Sequence, residues 1–192
     1  MRRFKDAHKG KRIWVCSSGP SLADVDESRL TSDDIVIACN SGIQHFKQAD
    51  YFIWVDGKVT KFQWFRDVKS DQKCISLNPL VPSPENCIEV FEQSHDWGNW
   101  MVDDTGHFPG NIPQRAVSFA YVMGARQIVL AGCDCKGGRV YQDDEVIEGE
   151  WDEDLYLWEM MKESNPDLPI VTISQDTPLK VFPSVRFDEL CG

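Results

Sequence analysis

Short apolar runs, each closed by small or polar residues, recur along this chain. "RIWVCSS" at 12–18 is rich in β-formers and lacks polar alternation, so it predicts a strand buried on both faces. "DIVIACNSG" (34–42), "DYFIWVDG" (50–57), "QKCISLNP" (72–79), "RQIVLAGCDC" (126–135) and "PIVTIS" (169–174) repeat the pattern, and "NCIEVFEQS" (86–94) is a further candidate. Between them lie stretches with helical signals. "SLADVDESRL" (21–30) carries early acids, as a helix start prefers, and "QHFKQA" (44–49) and "KVTKFQWFRDV" (58–68) follow. "PQRAVSFAYVMGA" (113–125) opens on Pro113, turns Ala116, Phe119, Ala120 and Met123 to one face, and stops at Gly124. "EDLYLWEMMKES" (153–164) is the last helical segment, while residues 95–112 read as loop. Strands alternating with helices predict an α/β protein with a single doubly wound, mostly parallel, Rossmann-like sheet. No repeat or linker divides it, so residues 13–192 are expected to form one domain after a basic tail at 1–12.

Ligands of such sheets bind beyond the carboxyl ends of the strands. Those ends are Ser17-Ser18-Gly19, Asn40-Ser41, Asp56-Gly57, Gly132-Cys133-Asp134 and Ser174. All are small or polar, which together points to a polar ligand of nucleotide size. Ser17, Ser18, Gly19, Pro20 and Ser21 fit a phosphate cradle of backbone N–H groups and hydroxyls, and equally a helix-capping turn. Neither GxxxxGK[ST] nor GxGxxG occurs, which disfavours a Walker site and a nicotinamide cofactor. Asn40 offers a donor and an acceptor to a base or ribose, or else caps its own turn. Asp56 and Asp134 would suit a shared Mg²⁺ or a substrate hydroxyl, or simply cap helices. His95 and His107, in the loop-like middle, are general-base candidates with equally ordinary structural readings. Tyr141 is a possible donor to a phosphate oxygen. The acidic run 143–154 reads as a solvated loop or a lid.

Composition narrows this further. The chain has 192 residues, 42% hydrophobic and 27% charged, the profile of a folded domain with a real core. No apolar run reaches membrane-span length and no signal-peptide core follows the basic start, so the expected location is the cytoplasm. Seven cysteines at 16, 39, 74, 87, 133, 135 and 191 lack framework or zinc spacing and read as buried hydrophobes. Net charge is −11, and residues 1–12 hold six Lys/Arg against one Asp, leaving a body of −16. Such a body disfavours nucleic acid, save through the tail, which reads as a solubilising, frayed terminus.

Two stretches carry a family resemblance. "WVCSSGPSLADVD" (14–26) and "GNIPQRAVSFAYVMGARQIVLAGCDCKGGRVY" (110–141), with "CNSG" and "TISQDTPLKVFPSV" (172–185), resemble the bacterial sialyltransferases of glycosyltransferase family 42. A wider group joins these to the archaeal 6-hydroxymethyl-7,8-dihydropterin pyrophosphokinase and to small phage-encoded proteins. The resemblance implies that the first turn and Asn40 contact the nucleotide, that Gly110, Asn111 and Ile112 lie near ribose or phosphate, and that Tyr141 assists the leaving phosphate. The chain departs from the sialyltransferases at Ser18, where they have asparagine, and has no histidine after His107, where their catalytic histidine lies. Asp56 resembles the acid of the pyrophosphokinase-like branch. The implied activity is a nucleotide-dependent transferase, foremost a glycosyltransferase with a nucleotide-sugar donor and a small-molecule or glycan acceptor. The alternatives are Mg²⁺-dependent pyrophosphoryl transfer from ATP to a hydroxymethyl compound, and a non-catalytic nucleotide-binding protein. A phage-type member would act in the cytoplasm of a bacterial host.

Overall fold

A computed structural model describes residues 4–47, 49–55, 57–67, 73–76, 87–90, 110–140 and 150–192. Seven strands form one sheet: β1 (Arg12–Cys16), β2 (Asp34–Cys39), β3 (Tyr51–Trp54), β4 (Lys73–Ser76), β5 (Cys87–Val90), β6 (Gln127–Ala131) and β7 (Ile170–Thr172). Their order is β5-β4-β3-β2-β1-β6-β7, and every pairing is parallel. The winding runs outward from β1 in one direction through β5, then returns to β1's other side with β6. The order therefore reverses between β1 and β6, where Cys16 lies opposite Ala131.

Alternate residues of the central strands enter two separate cores. Ile13, Val15, Ile35, Ile37, Ile128 and Leu130 pack with α2 (Ile112–Val122) and α3 (Glu150–Ser164). Trp14, Cys16, Val36, Ala38, Val129 and Ala131 face the other way, toward Leu22, Ile43, Phe46, Phe65 and Phe187. Both faces are covered, which is why these strands read as continuous apolar runs. Two short helices, α1 (Gln63–Arg66) and α4 (Phe187–Leu190), sit on the second face.

Three of the expected helices are instead 3₁₀ segments or a single turn. The 21–30 stretch forms Pro20–Asp24 and Glu27–Arg29, separated by extended Val25 and Asp26. Asp26 accepts the Ser28 N–H at 3.0 Å, so its side chain starts a new turn where a helix would have continued. Asn40–His45 ends at extended Phe46, whose ring is buried. The 58–68 stretch breaks at extended Phe62, between Gly57–Lys61 and α1. The acidic run expected to be loop also differs: from Glu150 onward it is the first turn of α3, where acids suit the helix dipole.

The basic terminus is not frayed over residues 4–11. Phe4 is buried edge-on against Phe119 and Tyr51, with centroids 5.1 and 6.2 Å apart. His8 Nε2 and the Tyr51 hydroxyl are hydrogen bonded at 2.8 Å. The N–H groups of Asp6, His8 and Gly10 donate to the carbonyls of Val122, Met123 and Gly124. Those carbonyls belong to the C-terminal end of α2 and the turn after it, where helices need outside donors. At the opposite end of the sheet from the strand carboxyl ends, Asp34 accepts from Arg12, Trp14 and Thr31. Burial pushes the Asp34 carboxyl up, but these hydrogen bonds outweigh it and hold the group at about 2.

Candidate functional site

At the β1/β6 reversal the two strand-end turns interlock. The Gly19 N–H donates to the Gly132 carbonyl at 2.8 Å, and the Gly132 N–H donates to Ser21 Oγ at 2.9 Å. Ser21 Oγ and the Ser21 N–H both donate to Asp134 Oδ2 at 3.0 Å. The approach is close enough to require glycine. A Cβ on Gly19 would sit 2.7 Å from the Gly132 carbonyl oxygen, and one on Gly132 would sit 2.5 Å from that of Ser17. Gly132 also adopts φ +68, a conformation side chains disfavour.

This geometry revises the phosphate cradle. The N–H groups of Gly19 and Ser21 are spent within the protein, and Pro20 has none. Pro20, Ser21 and Ser41 are absent from the cavity lining, and the helix whose N-terminus would have added its dipole is a five-residue 3₁₀ segment. Ser21 is neither a cradle nor a cap but a link between the two turns, since its 3₁₀ segment has no side-chain cap bond. Asp134, 2% exposed, is the group that holds this turn.

Above the turns lies a cavity of about 570 Å³. Of the residues anticipated from sequence, Ser17, Ser18, Gly19, Asn40, Gly110, Asn111, Gly132 and Asp134 line it. Asn40 has φ +48, a left-handed conformation that asparagine tolerates, and its buried Oδ1 has no hydrogen-bond partner. Asn111 lies at the α2 N-cap but makes no side-chain cap; its Nδ2 donates instead to Asp154 Oδ1 at 2.7 Å, tying α2 to α3. Asp56, His107 and Tyr141, with His95, fall outside the described residues. Mg²⁺ on Asp56 and Asp134 finds little support. Asp134 Oδ2 is taken up by Ser21, and among the described residues no cluster of three His, Cys, Asp or Glu could hold a metal ion.

The lining also contains residues that sequence reasoning did not single out: Arg115, Lys58, Lys136, Arg139, Phe62 and Trp151. Trp151 Nε1 is buried without a partner. Lys136 pairs with the exposed Asp176 at 2.9 Å. Arg115 had left a signal in the helical pattern. It stands beside Ala116 and one turn before Phe119, a charge next to the inward face of an apolar helix. Burial pushes the thiols of the two lining cysteines up, Cys133 well up and Cys135 to about 12, which disfavours the nucleophilic thiolate. Among the described residues no helix is long and apolar enough to cross a membrane.

No known protein family matches the chain by sequence, and no curated protein does. Solved structures do share its fold. The sialyltransferase CstII from Campylobacter jejuni, in complex with the substrate analogue CMP-3FNeuAc, has a TM-score of 0.57 at 13% identity, over 91% of this chain and 86% of that one. The monofunctional alpha-2,3-sialyltransferase Cst-I of the same organism has a TM-score of 0.60 at 14% identity, over 91% and 80%. The MAf glycosyltransferase from Magnetospirillum magneticum AMB-1 reaches 0.61 at 12% identity, covering 95% of this chain and 36% of that one. The class these similarities define is a fold: the parallel α/β sheet shared by these glycosyltransferases. Within that class the likeness extends over nearly the whole chain for the sialyltransferases, in keeping with the resemblance carried by residues 14–26 and 110–141.

Proposed function

We propose that this protein is a glycosyltransferase that takes a nucleotide-activated sugar in the cavity at the β1/β6 reversal. The observation carrying the reading is that cavity itself. It lies where open α/β sheets bind nucleotides, and it is lined by polar atoms that lack partners, Asn40 Oδ1 and Trp151 Nε1. Native proteins pair nearly all buried polar groups, so unpaired ones at a cavity suit a ligand that completes them. The shared fold adds support, since CstII has been solved with CMP and with a trisaccharide acceptor.

In this reading Asn40 takes the nucleoside, and Ser17 and Ser18 offer hydroxyls to the phosphate. Transfer breaks the bond between sugar and phosphate, so charge builds on the departing oxygen and cations placed there lower the barrier. Lys58, Lys136 and Arg139 line the cavity and supply that charge without a metal. Tyr141 and His107 keep the roles of leaving-group donor and base as proposals. The pyrophosphokinase alternative needs Asp134 on Mg²⁺, a role at odds with its bonds to Ser21.

Thermal-shift titration with CMP, CDP, UDP, GDP and ATP, each with and without Mg²⁺, tests the reading. Stabilisation by CMP, CDP, UDP or GDP without metal is expected, and Asn40→Ala should weaken it about tenfold or more. Stabilisation by ATP only with Mg²⁺ would favour pyrophosphoryl transfer. No response to any nucleotide would end both enzymatic readings.

A further inference from the structure

Arg115 is 3% exposed, yet it lines the cavity. Its Nε donates to the Gly110 carbonyl at 2.6 Å, which fixes the plane of the guanidinium. Among the described residues no carboxylate pairs with it. A buried charge without a counter-charge is costly, and proteins seldom keep one that serves no purpose. Burial pushes its pKa down, but a guanidinium stays charged at any working pH.

Cations outnumber carboxylates in the lining around it. Arg115 stands in the first turn of α2, an 11-residue helix whose N-cap side chain makes no capping bond and reaches Asp154 instead. Lys58, Lys136 and Arg139 line the same cavity, against Asp134 and Asp154. This gathering of cations occurs in a chain of net charge −11. We propose that Arg115 is the binding group for an anionic oxygen group of the cavity's ligand, a phosphate or a carboxylate, which supplies its missing counter-charge. With Nε held by Gly110, the two terminal nitrogens are left for a two-oxygen anion, the geometry a guanidinium fork favours. The identity of the ligand as a nucleotide sugar rests on the proposed function; the anion site itself does not.

Calorimetric titration of the full chain tests the assignment. The probes are inorganic pyrophosphate, CMP against cytidine, and N-acetylneuraminic acid against its methyl ester. The wild type is expected to prefer at least one anion over its neutral counterpart by about tenfold or more. Preference for CMP assigns a phosphate, and preference for the free acid assigns a carboxylate. Arg115→Met should abolish that preference while leaving cytidine affinity within about twofold, and Arg115→Lys should retain part of it. Arg115→Met should also melt at a higher temperature than wild type without ligand, the reverse of what a structural arginine would give. Should Arg115→Met fail to fold, Arg115→Gln keeps a donor for the Gly110 carbonyl and serves in its place. An anion preference that survives loss of the guanidinium, or a wild type with no preference for any anion, overturns the inference. Pyrophosphate binding that depends on Arg115 while no nucleotide binds would uphold it and sink the proposed function. Nucleotide binding together with an anion preference, for phosphate and carboxylate alike, that ignores Arg115 would do the opposite.

Discussion

In the floor beneath the cavity the N–H groups of Gly19, Ser21 and Gly132 and the Ser21 hydroxyl all find partners within 3.0 Å. Along its walls Asn40 Oδ1 and Trp151 Nε1 have none, and among the described residues the Arg115 guanidinium faces no carboxylate. Floor and wall are neighbours, yet they hold their polar atoms in opposite states. The floor is built from close backbone approach and closed hydrogen bonds, which stabilise the fold. The wall leaves polar atoms uncompensated, which costs stability that a bound ligand would recover. Small polar residues at a strand end are thus of two kinds, and only partner accounting separates them.

Mutations at the floor should strike stability first. Gly132→Ala is expected to be the most damaging, because it places a Cβ 2.5 Å from the Ser17 carbonyl at a φ of +68. A loss of more than about 3 kcal/mol in chemical denaturation, or no folded protein at all, is the expected result. A stable Gly132→Ala variant would mean the two turns are looser than described. Asp134→Ala comes next, at roughly 2–3 kcal/mol, since it leaves the Ser21 N–H and hydroxyl unpaired. Asp134→Asn keeps an acceptor oxygen and should cost less than half as much by the same measure. If both variants instead retain stability and lose a Mg²⁺-dependent ligand response, Asp134 belongs to the chemistry after all and the division between floor and wall fails.

The mildest test lies at the far end of the sheet. The Asp34 carboxyl is depressed from the ordinary 3.8 to about 2, so its contribution is present in full above pH 4 and is lost as pH falls toward 2. Urea titrations across that window should trace a loss of stability that Asp34→Asn flattens. Ligand affinity at neutral pH should not change in that variant, because Asp34 lies at the other end of its strand from the cavity.

The central strands β1, β2, β3 and β6 were legible because each is apolar on both faces, a pattern that packing between two layers imposes directly. The long helix at residues 112–122 was legible from its one-sided face. The crossovers before α1 were not. Asp26, Asn40 and Phe62 each break a helical pattern through local conformation, and periodicity does not register such breaks. The docked N-terminus was hidden by its charge, since Phe4 and His8 among lysines and arginines look like tail. In the site, chain-order reasoning pointed to Asn40 and the two turns, which line the cavity, but left open whether the turn's N–H groups serve a ligand or the fold. Whether those groups were already occupied depended on Asp134, more than a hundred positions away in the chain. Arg115 was missed for the converse reason: a charge in a helix is ordinary until its burial is known.

The position of β1 sets an order on biosynthesis. Its pairing with β2 can form early, since Cys16 meets Ala38, but its other edge waits for β6, where Cys16 meets Ala131. At roughly 5–20 residues per second the ribosome takes seconds to supply that partner. Until then this strand, apolar from Ile13 to Cys16, has one edge open and the floor of the cavity does not exist. Chains that stall before residue 131 leave that edge unpaired, and unpaired apolar edges are where nascent chains aggregate.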